Sequence, residues 1–331
     1  MAKTILVTGG AGYIGSHTTR HLIEDGFNVV VLDNLYSGHR WAVHDSAEFV
    51  EGNAGDQDLL ADIFNRFTIE AVIHFAGHIV VPESVENPQK YYQNNCLVSQ
   101  SLVESCRLAG INKMIFSSSA AVYGIPEKIP AVETDRLEPI NPYGRTKLIT
   151  EWLLEDIATS APTEKPFKYV ALRYFNVAGA AVKGGLGQAT PEATHLLKVA
   201  CEVATGKRET IKVFGTDYDT PDGTCIRDYI HVDDLASAHV VGLKHLINGG
   251  GGGVYNCGYG RGLSVQEILD TVTKVSNVDF PRELTGRRAG DPPALIADTK
   301  KITEQLGWEP KYNDTELICR TAFEWEQQYK A

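Results

Sequence analysis

Short apolar runs recur through the first half of the chain, each bounded by turn-forming residues and separated by longer stretches with helical spacing. TILVT (4–8), NVVVLD (28–33), AVIHFA (71–76), KMIFSS (113–118) and KYVALRYF (168–175) are β-branched or aromatic and of strand length. Between them, YIGSHTTRHLIED has the periodicity of a helix and is closed by Gly26. NPQKYYQNNCLVSQSLVESCRLAG starts with Asn87 as N-cap and Pro88 at the first helical position, and stops at Gly110. Near-continuous apolar strands alternating with helices predict an α/β fold: a doubly wound parallel sheet covered on both faces.

After residue 177 the strict alternation is lost. Glycines cluster in GAAVKGGLG (179–187) and in the run 249–253, which reads as a mobile loop tip. Two units are expected: a nucleotide-binding unit over 1–177, and a smaller C-terminal α/β unit over 178–331 that builds a cleft with it. CIRDYIHVDDLASAHVVGLKHL is expected to return a strand and a helix, about 226–246, to the first unit. No internal repeat is visible.

The 331 residues are 43% hydrophobic and 22% charged, enough for one large or two ordinary domains with a sizeable core. The net charge of −11 argues against nucleic-acid or anionic-membrane partners, because no basic surplus exists to displace counterions. An anionic ligand must therefore be held by local positive groups. Cys96, Cys106, Cys201, Cys225, Cys257 and Cys319 are scattered without C-x-x-C spacing. That pattern indicates neither a disulfide framework nor a zinc site, and points to a reducing, cytoplasmic setting. TILVTGG begins at Thr4, leaving no room for a signal segment, and no apolar run approaches the length of a membrane span.

VTGGAGYIGS places Gly9, Gly12 and Gly15 at G-x-x-G-x-x-G spacing between the first strand and the first helix. A tight turn, a close approach of backbone to a pyrophosphate and close helix–strand packing all ask for glycine there. The helix N-terminus adds free N–H groups and partial positive charge. This is the dinucleotide fingerprint of a Rossmann-like fold. Strand two ends in Asp33, 18 residues beyond Gly15. A carboxylate there accepts from a ribose 2′-hydroxyl and repels a 2′-phosphate, so NAD is expected over NADP, although His39 and Arg40 follow within reach.

NPYGRTK (141–147) sets Tyr143 and Lys147 four residues apart at the start of a helix. Alone, that spacing is as common as chance. Beside a nicotinamide it acquires a meaning. A free tyrosine has a pKa near ~10 and is about one part in a thousand ionised at neutral pH. Residues four apart share a helix face, so the Lys147 ammonium is expected near the Tyr143 ring edge, favouring phenolate. FSSSAAVYG (116–124) offers three serines at the carboxyl end of a strand, where ligands bind in such sheets.

These motifs together with LDNLYSG, HFAG, PESVENP, YYQNN, RYFN, GTDYDTPDGTCIRDYIHVDDLA and RRAGDPPALIAD resemble the extended short-chain dehydrogenase/reductase superfamily. Within it the chain is most similar to the epimerases that invert C4 of a UDP-hexose, and the resemblance runs nearly end to end. It implies Ser119, Tyr143 and Lys147 as the catalytic set. It implies NAD contacts from Gly9, Gly12, Tyr13, Ile14, Gly15, Asp33, Asn34, Ser37, Gly38, Asn53 and Ala54. Further ones are implied at Phe75, Ala76, Gly77, Asn94, Ser117, Tyr143, Lys147 and Tyr174. The UDP-sugar is implied on Ser119, Tyr143, Asn176, His195, Phe214, Arg227, Arg288, Asp291 and Leu295. A homodimer through the helices containing 87–109 and 143–160 is also implied.

Four positions depart from the pattern. Asn53 stands for an aspartate near the adenine, Ile79 for a lysine beside the cofactor phosphates, and His195 for an asparagine at the nucleotide diphosphate. Leu295 replaces a tyrosine or cysteine facing the sugar, which favours UDP-glucose and UDP-galactose over the N-acetylated pair.

Other candidates carry plainer readings. His231, Asp233 and Asp234 leave their segment in different directions with no further ligand spaced nearby, which argues against a metal. His74 reads as a core histidine, Tyr123 as packing, and Ser117 and Ser118 as strand-end polar residues. Arg287 and Arg288 suit a diphosphate. Sugar-nucleotide dehydratases and decarboxylases of the superfamily carry acid–base residues where this chain has Ala120 and Ala121. A non-catalytic dinucleotide sensor would be expected to have lost the serine, tyrosine or lysine.

Overall fold

The computed structural model describes residues 2–191, 193–288 and 291–329. In chain order the strands are β1 (Thr4–Thr8), β2 (Asn28–Asp33), β3 (Glu48–Glu51), β4 (Ile69–His74), β5 (Lys113–Ser117) and β6 (Lys168–Tyr174). Then follow β7 (Asn176–Ala178), β8 (Ile211–Phe214), β9 (Ile226–His231), β10 (Gly253–Cys257), β11 (Gly262–Ser264), β12 (Arg282–Thr285) and β13 (Ala294–Leu295).

A seven-stranded sheet runs β10-β6-β5-β4-β1-β2-β3, and every pairing in it is parallel. This is the Rossmann-like, doubly wound α/β sheet anticipated from the apolar runs. Alternate residues of each strand serve opposite faces. Ile5, Val7, Val29, Val31, Ile73 and Ile115 join a core that includes Leu22 and Leu235, from helices Tyr13–Glu24 and Val232–Ile247. Leu6, Val30, Val72, Met114 and Phe116 join a second core with Leu60, Leu102 and Leu154 from the opposite layer of helices. The chain reverses its direction of winding between β1 and β4, which opens a crevice at the carboxyl edge of the sheet.

Several elements differ from expectation. β4 covers 69–74 rather than 71–76, leaving Phe75 and Ala76 to the loop beyond its end. β3, EFVE, has glutamates at both ends and no burial pattern that marks a strand. The 226–246 return is split: helix Val232–Ile247 packs on the large sheet, but β9 pairs with β7, β11 and β13 in a separate small sheet. The strand that extends the large sheet is β10, directly after the glycine run. That run is tied down rather than loose: Lys168 Nζ donates to the Gly249 and Gly250 carbonyls at 2.8 and 2.9 Å. At Gly252 a Cβ would lie 2.7 Å from the Tyr169 carbonyl oxygen, so glycine is what lets β10 dock beside β6.

Residues 88–108 form one continuous helix in three parts: α over Pro88–Tyr91, a π-turn over Tyr92–Leu97, and α again over Val98–Leu108. The Asn87 side chain caps it by accepting from Lys90 N. Beyond β7, helices Leu196–Ala204, Val265–Ser276 and Thr315–Gln328 enclose a third core around Leu197, Leu269 and Phe323.

Trp308 pins the C-terminal stretch back onto the first core. It is 1% exposed, and its Nε1 donates to Ser237 Oγ at 3.0 Å. Trp308→Ala is expected to destabilise the protein by about 3–5 kcal/mol through cavity formation. Denaturant titration of parent and variant reads this directly, and an unchanged midpoint would show that the indole contributes nothing.

Candidate active site

A cleft of about 340 Å³ follows the carboxyl edge of the large sheet. Its floor is the loop between β1 and helix Tyr13–Glu24. Gly9 has φ +73°, and a Cβ there would lie 2.6 Å from Ala76 N. A Cβ on Gly15 would lie 2.2 Å from the Gly9 carbonyl oxygen. Those two glycines satisfy the protein's own packing. Gly12 differs: a Cβ would meet only the Gly9 oxygen, at 3.3 Å, so its free side is the cleft. Gly12 is also the N-cap of the helix and offers no side-chain acceptor to the first-turn N–H groups, which stay available to an anion.

Asp33 closes β2 at the cleft wall. Its Oδ2 accepts from Ala11 N at 2.9 Å and its Oδ1 from Leu35 N at 2.8 Å, so the carboxylate braces the glycine loop while facing the cleft. Burial raises its pKa, against which the two N–H bonds and His39 act. Tyr13, Ile14, Asn34, Ser37, Gly38, Asn53 and Ala54 line the same half of the cleft. So do Phe75, Ala76, Gly77, Asn94, Ser117 and Tyr174. Ile79 lies there too, apolar where a lysine was the pattern. Asn53 Oδ1 accepts from Gly55 N at 2.8 Å, which fixes the side chain in its own turn. A cradle made of a bare helix N-terminus and a ribose-reaching carboxylate fits a dinucleotide.

At the centre of the cleft stand Ser119 and Tyr143. Helix Pro142–Ser160 is started by Asn141, whose side chain accepts from Gly144 N at 2.9 Å. Tyr143 is buried, which raises its pKa, while the Ser119 hydroxyl acts to lower it. Lys147 lies beside the Tyr143 ring, as helix spacing suggests. Its Nζ donates to the Ser117 carbonyl at 2.8 Å and sits 5.9 Å from the Tyr143 ring centroid. Burial pulls Lys147 down to about 8, opposed by Cys96 and Glu151.

The far half of the cleft is walled by Asn176, His195 and Leu295, with Gln188 and Thr190. Gln188 Nε2 lies 2.8 Å from His195 Nδ1. Neither Gln188 nor Thr190 carried a sequence signal, since both sit in a glycine-rich connection without periodicity. Phe214, Arg227, Arg288 and Asp291 lie outside the cleft lining. Arg288 stacks on the Phe214 ring at 3.8 Å. Arg227 reaches the Asp291 carboxylate at 3.5 Å and is in register with Leu295 across the β9–β13 pair. His231, Asp233 and Asp234 serve local structure: Asp233 accepts from Val182 N, and Asp234 from Lys311 N, Tyr312 N and Tyr259 OH. His74 is buried between Thr8 and Ser99, with its pKa lowered to about 3 by burial.

Residues 5–258 match the profile of the NAD dependent epimerase/dehydratase family. The chain belongs to this family. A UDP-glucose 4-epimerase of Azospirillum brasilense is 52% identical over 323 residues, covering 98% of this chain and 92% of the relative. The crystal structure of a Brucella ovis UDP-glucose 4-epimerase in complex with NAD superposes with a TM-score of 0.95 at 47% identity, covering 98% and 99% of the two chains. A Bifidobacterium longum UDP-glucose 4-epimerase in complex with NAD+ and UDP superposes with a TM-score of 0.92 at 37% identity, covering 98% of each.

The two positions after Ser119 are Ala120, 3% exposed, and Ala121, both lining the cleft with methyl groups. Asp33 is the residue whose loss should be felt first in cofactor binding, since it both faces the cleft and braces the loop. Asp33→Ala is expected to weaken NAD binding by about 1.5–3 kcal/mol, the worth of hydrogen bonds to a charged group. NAD released on denaturing the purified parent and variant measures it; equal content, or NADP in place of NAD, would defeat the assignment.

Proposed function

We infer that this chain catalyses the reversible, NAD-dependent C4 epimerisation of UDP-hexoses, interconverting UDP-glucose and UDP-galactose. What supports this reading is that Ser119 and Tyr143 line one cleft together with the dinucleotide cradle and with Asn176, His195 and Leu295. We propose Asn176, His195, Phe214, Arg227, Arg288, Asp291 and Leu295 as the UDP-sugar contacts. The arginines supply the local positive charge that a protein of net charge −11 needs for a diphosphate. The NAD-binding unit is taken as 1–177 with helix Val232–Ile247 and β10 added, and the remainder as the UDP-sugar unit.

NAD held on the glycine loop and Asp33 supplies a reversible hydride acceptor for C4 of the sugar. Tyr143 takes the 4-hydroxyl proton, with Ser119 bridging. Lys147, still largely protonated at neutral pH, favours the phenolate over the phenol. The 4-keto sugar turns over about its linkage to the diphosphate, C4 takes the hydride back on its other face, and Tyr143 returns the proton to the 4-oxygen. With Ala120 and Ala121 behind Ser119, nothing at those positions offers the second proton transfer that dehydration requires. Tyr143→Phe is expected to lower kcat by at least about 10²-fold, the usual worth of a general base. UDP binding should survive, as read by isothermal titration, and near-parental turnover would place the base elsewhere.

The functional unit we propose is a homodimer in a reducing cytoplasm. Supporting it, Leu97 is 57% and Trp152 53% exposed on two helices that pack side by side, with Ile149 near them. All six cysteines are unpaired. No helix among the described residues is long and apolar enough to cross a membrane. Leu97→Glu with Trp152→Glu should convert a dimer to a monomer in light scattering. A parent that already runs as a monomer, or a variant that stays dimeric, would refute this face as the contact.

A further inference from the structure

Behind the catalytic residues lies a buried ion pair that the reaction described above does not use. Glu151 and Arg173 are each 3% exposed. Arg173 grips the carboxylate with its fork: Nη2 to Oε2 at 2.6 Å and Nε to Oε1 at 3.0 Å. Its Nη1 donates to Tyr123 OH at 3.0 Å, and that hydroxyl donates to Asn256 Oδ1 at 2.6 Å. Burying such a pair is seldom a gain in stability over apolar packing of the same volume. Its place in the fold accounts for it better.

Tyr143, Lys147 and Glu151 follow one another at intervals of four on a single face of helix Pro142–Ser160. Opposite that face run three consecutive serines at the end of β5. Lys147 Nζ donates to the Ser117 carbonyl and Glu151 Oε1 accepts from Ser118 Oγ, while Tyr143 and Ser119 line the cleft together. Ser118 is fully buried and lies between the two serines that face the cleft.

We propose that Glu151 is a positioning residue for the epimerisation: anchored by Arg173, it clamps Ser118 and so sets Ser119 against Tyr143, and its charge keeps Lys147 in the ammonium form. The proposal rests on the assignment of Ser119, Tyr143 and Lys147 made above. The charge argument depends on what else faces Lys147. From β4 comes His74, neutral because burial lowers it to about 3. From residues 88–108 comes Cys96, a thiol because burial raises it to about 11. Tyr143, on the same helix, and Tyr174, from β6, are both raised by burial and so are neutral phenols unless Tyr143 is acting as base. Arg173, also from β6, is cationic and works against the ammonium. Glu151 is thus the anion among these groups that opposes the cost of burying Lys147.

Two variants separate clamp from charge, and kcat, KM and the pH profile are measured on the NAD-loaded enzyme. Ser118→Ala removes the clamp and keeps the charge. It should lower kcat by roughly ten- to a hundredfold, the size of a small misplacement of reacting groups, with KM and the alkaline limb unmoved. Glu151→Gln keeps an acceptor for Ser118 and removes the charge. The loss of an anion lowers the Lys147 pKa, so the alkaline limb of kcat should move down by about one pH unit. If Glu151→Gln does not fold because Arg173 is left unpaired, Glu151→Gln with Arg173→Met removes both charges, and its limb should still move down. Parental kcat in Ser118→Ala, or a parental limb in the folded Glu151 variant, overturns the proposal. Tyr143→Phe run alongside separates the two readings: activity in that variant defeats the assignment of the base. Inactivity there with parental Ser118 and Glu151 variants defeats the positioning role alone.

Discussion

The molecule depends on one close approach of backbone to backbone. Gly15 lies so near the Gly9 carbonyl, and Gly9 so near Ala76, that no side chain can stand at either position. Because these contacts are possible, helix Tyr13–Glu24 starts directly off the end of β1 and beside the loop that follows β4. Its unpaired N–H groups then point into the crevice where the sheet changes winding direction. Asp33, at the end of β2, is close enough to bond the same loop. A bulkier residue at either glycine would push the helix away, dismantling the cradle and disturbing the first core, to which that helix contributes Leu22.

The buried charges beside Tyr143 show the opposite economy. Lys147, Glu151 and Arg173 are charged groups taken almost fully out of water in a protein that is acidic overall. Burial opposes ionisation of Lys147 and Arg173, and all three are held by directed partners rather than by bulk field. Tyr143 lies among these groups, its pKa raised by burial and lowered by Ser119. A tyrosine surrounded this way has its neighbours fixed in advance, which is the condition for electrostatic preorganisation.

The large sheet was legible because its central strands are buried on both faces and so read as unbroken apolar runs. β3 escaped notice since an edge strand with two glutamates has no such signature, and β10 because a glycine run precedes it. β9 was readable as a strand, but its membership of the small sheet is decided by partners distant in sequence. In the site, residue types at fixed spacing pointed to the glycine loop and Asp33, which line the cleft with Ser119 and Tyr143, the pair that the family resemblance implied. Spacing could not convey that Lys147 reaches back to the Ser117 carbonyl, because direction within a shared helix face depends on what β5 presents. Gln188 was invisible for a related reason: its meeting with His195 is made by a loop, where sequence carries no period.

The π-turn at Tyr92–Leu97 has a consequence for how one helix can face two ways. Each residue of an α-helix advances the azimuth by about 100°, so a single extra residue in a turn resets the phase of everything after it. Within that turn Asn94 lies on the cleft, while Asn95 is buried, with its side chain bonded to His78 N, His78 O and Thr146. After it, Leu102 and Cys106 keep step with the sheet, as an unbroken α-helix from Pro88 would not have allowed them to do together with Asn94. The segment behaves as two rods joined at an offset, one keyed to the cleft and one to the core. Deleting any one residue between 92 and 97 would restore a regular helix and put one of those two keys out of register.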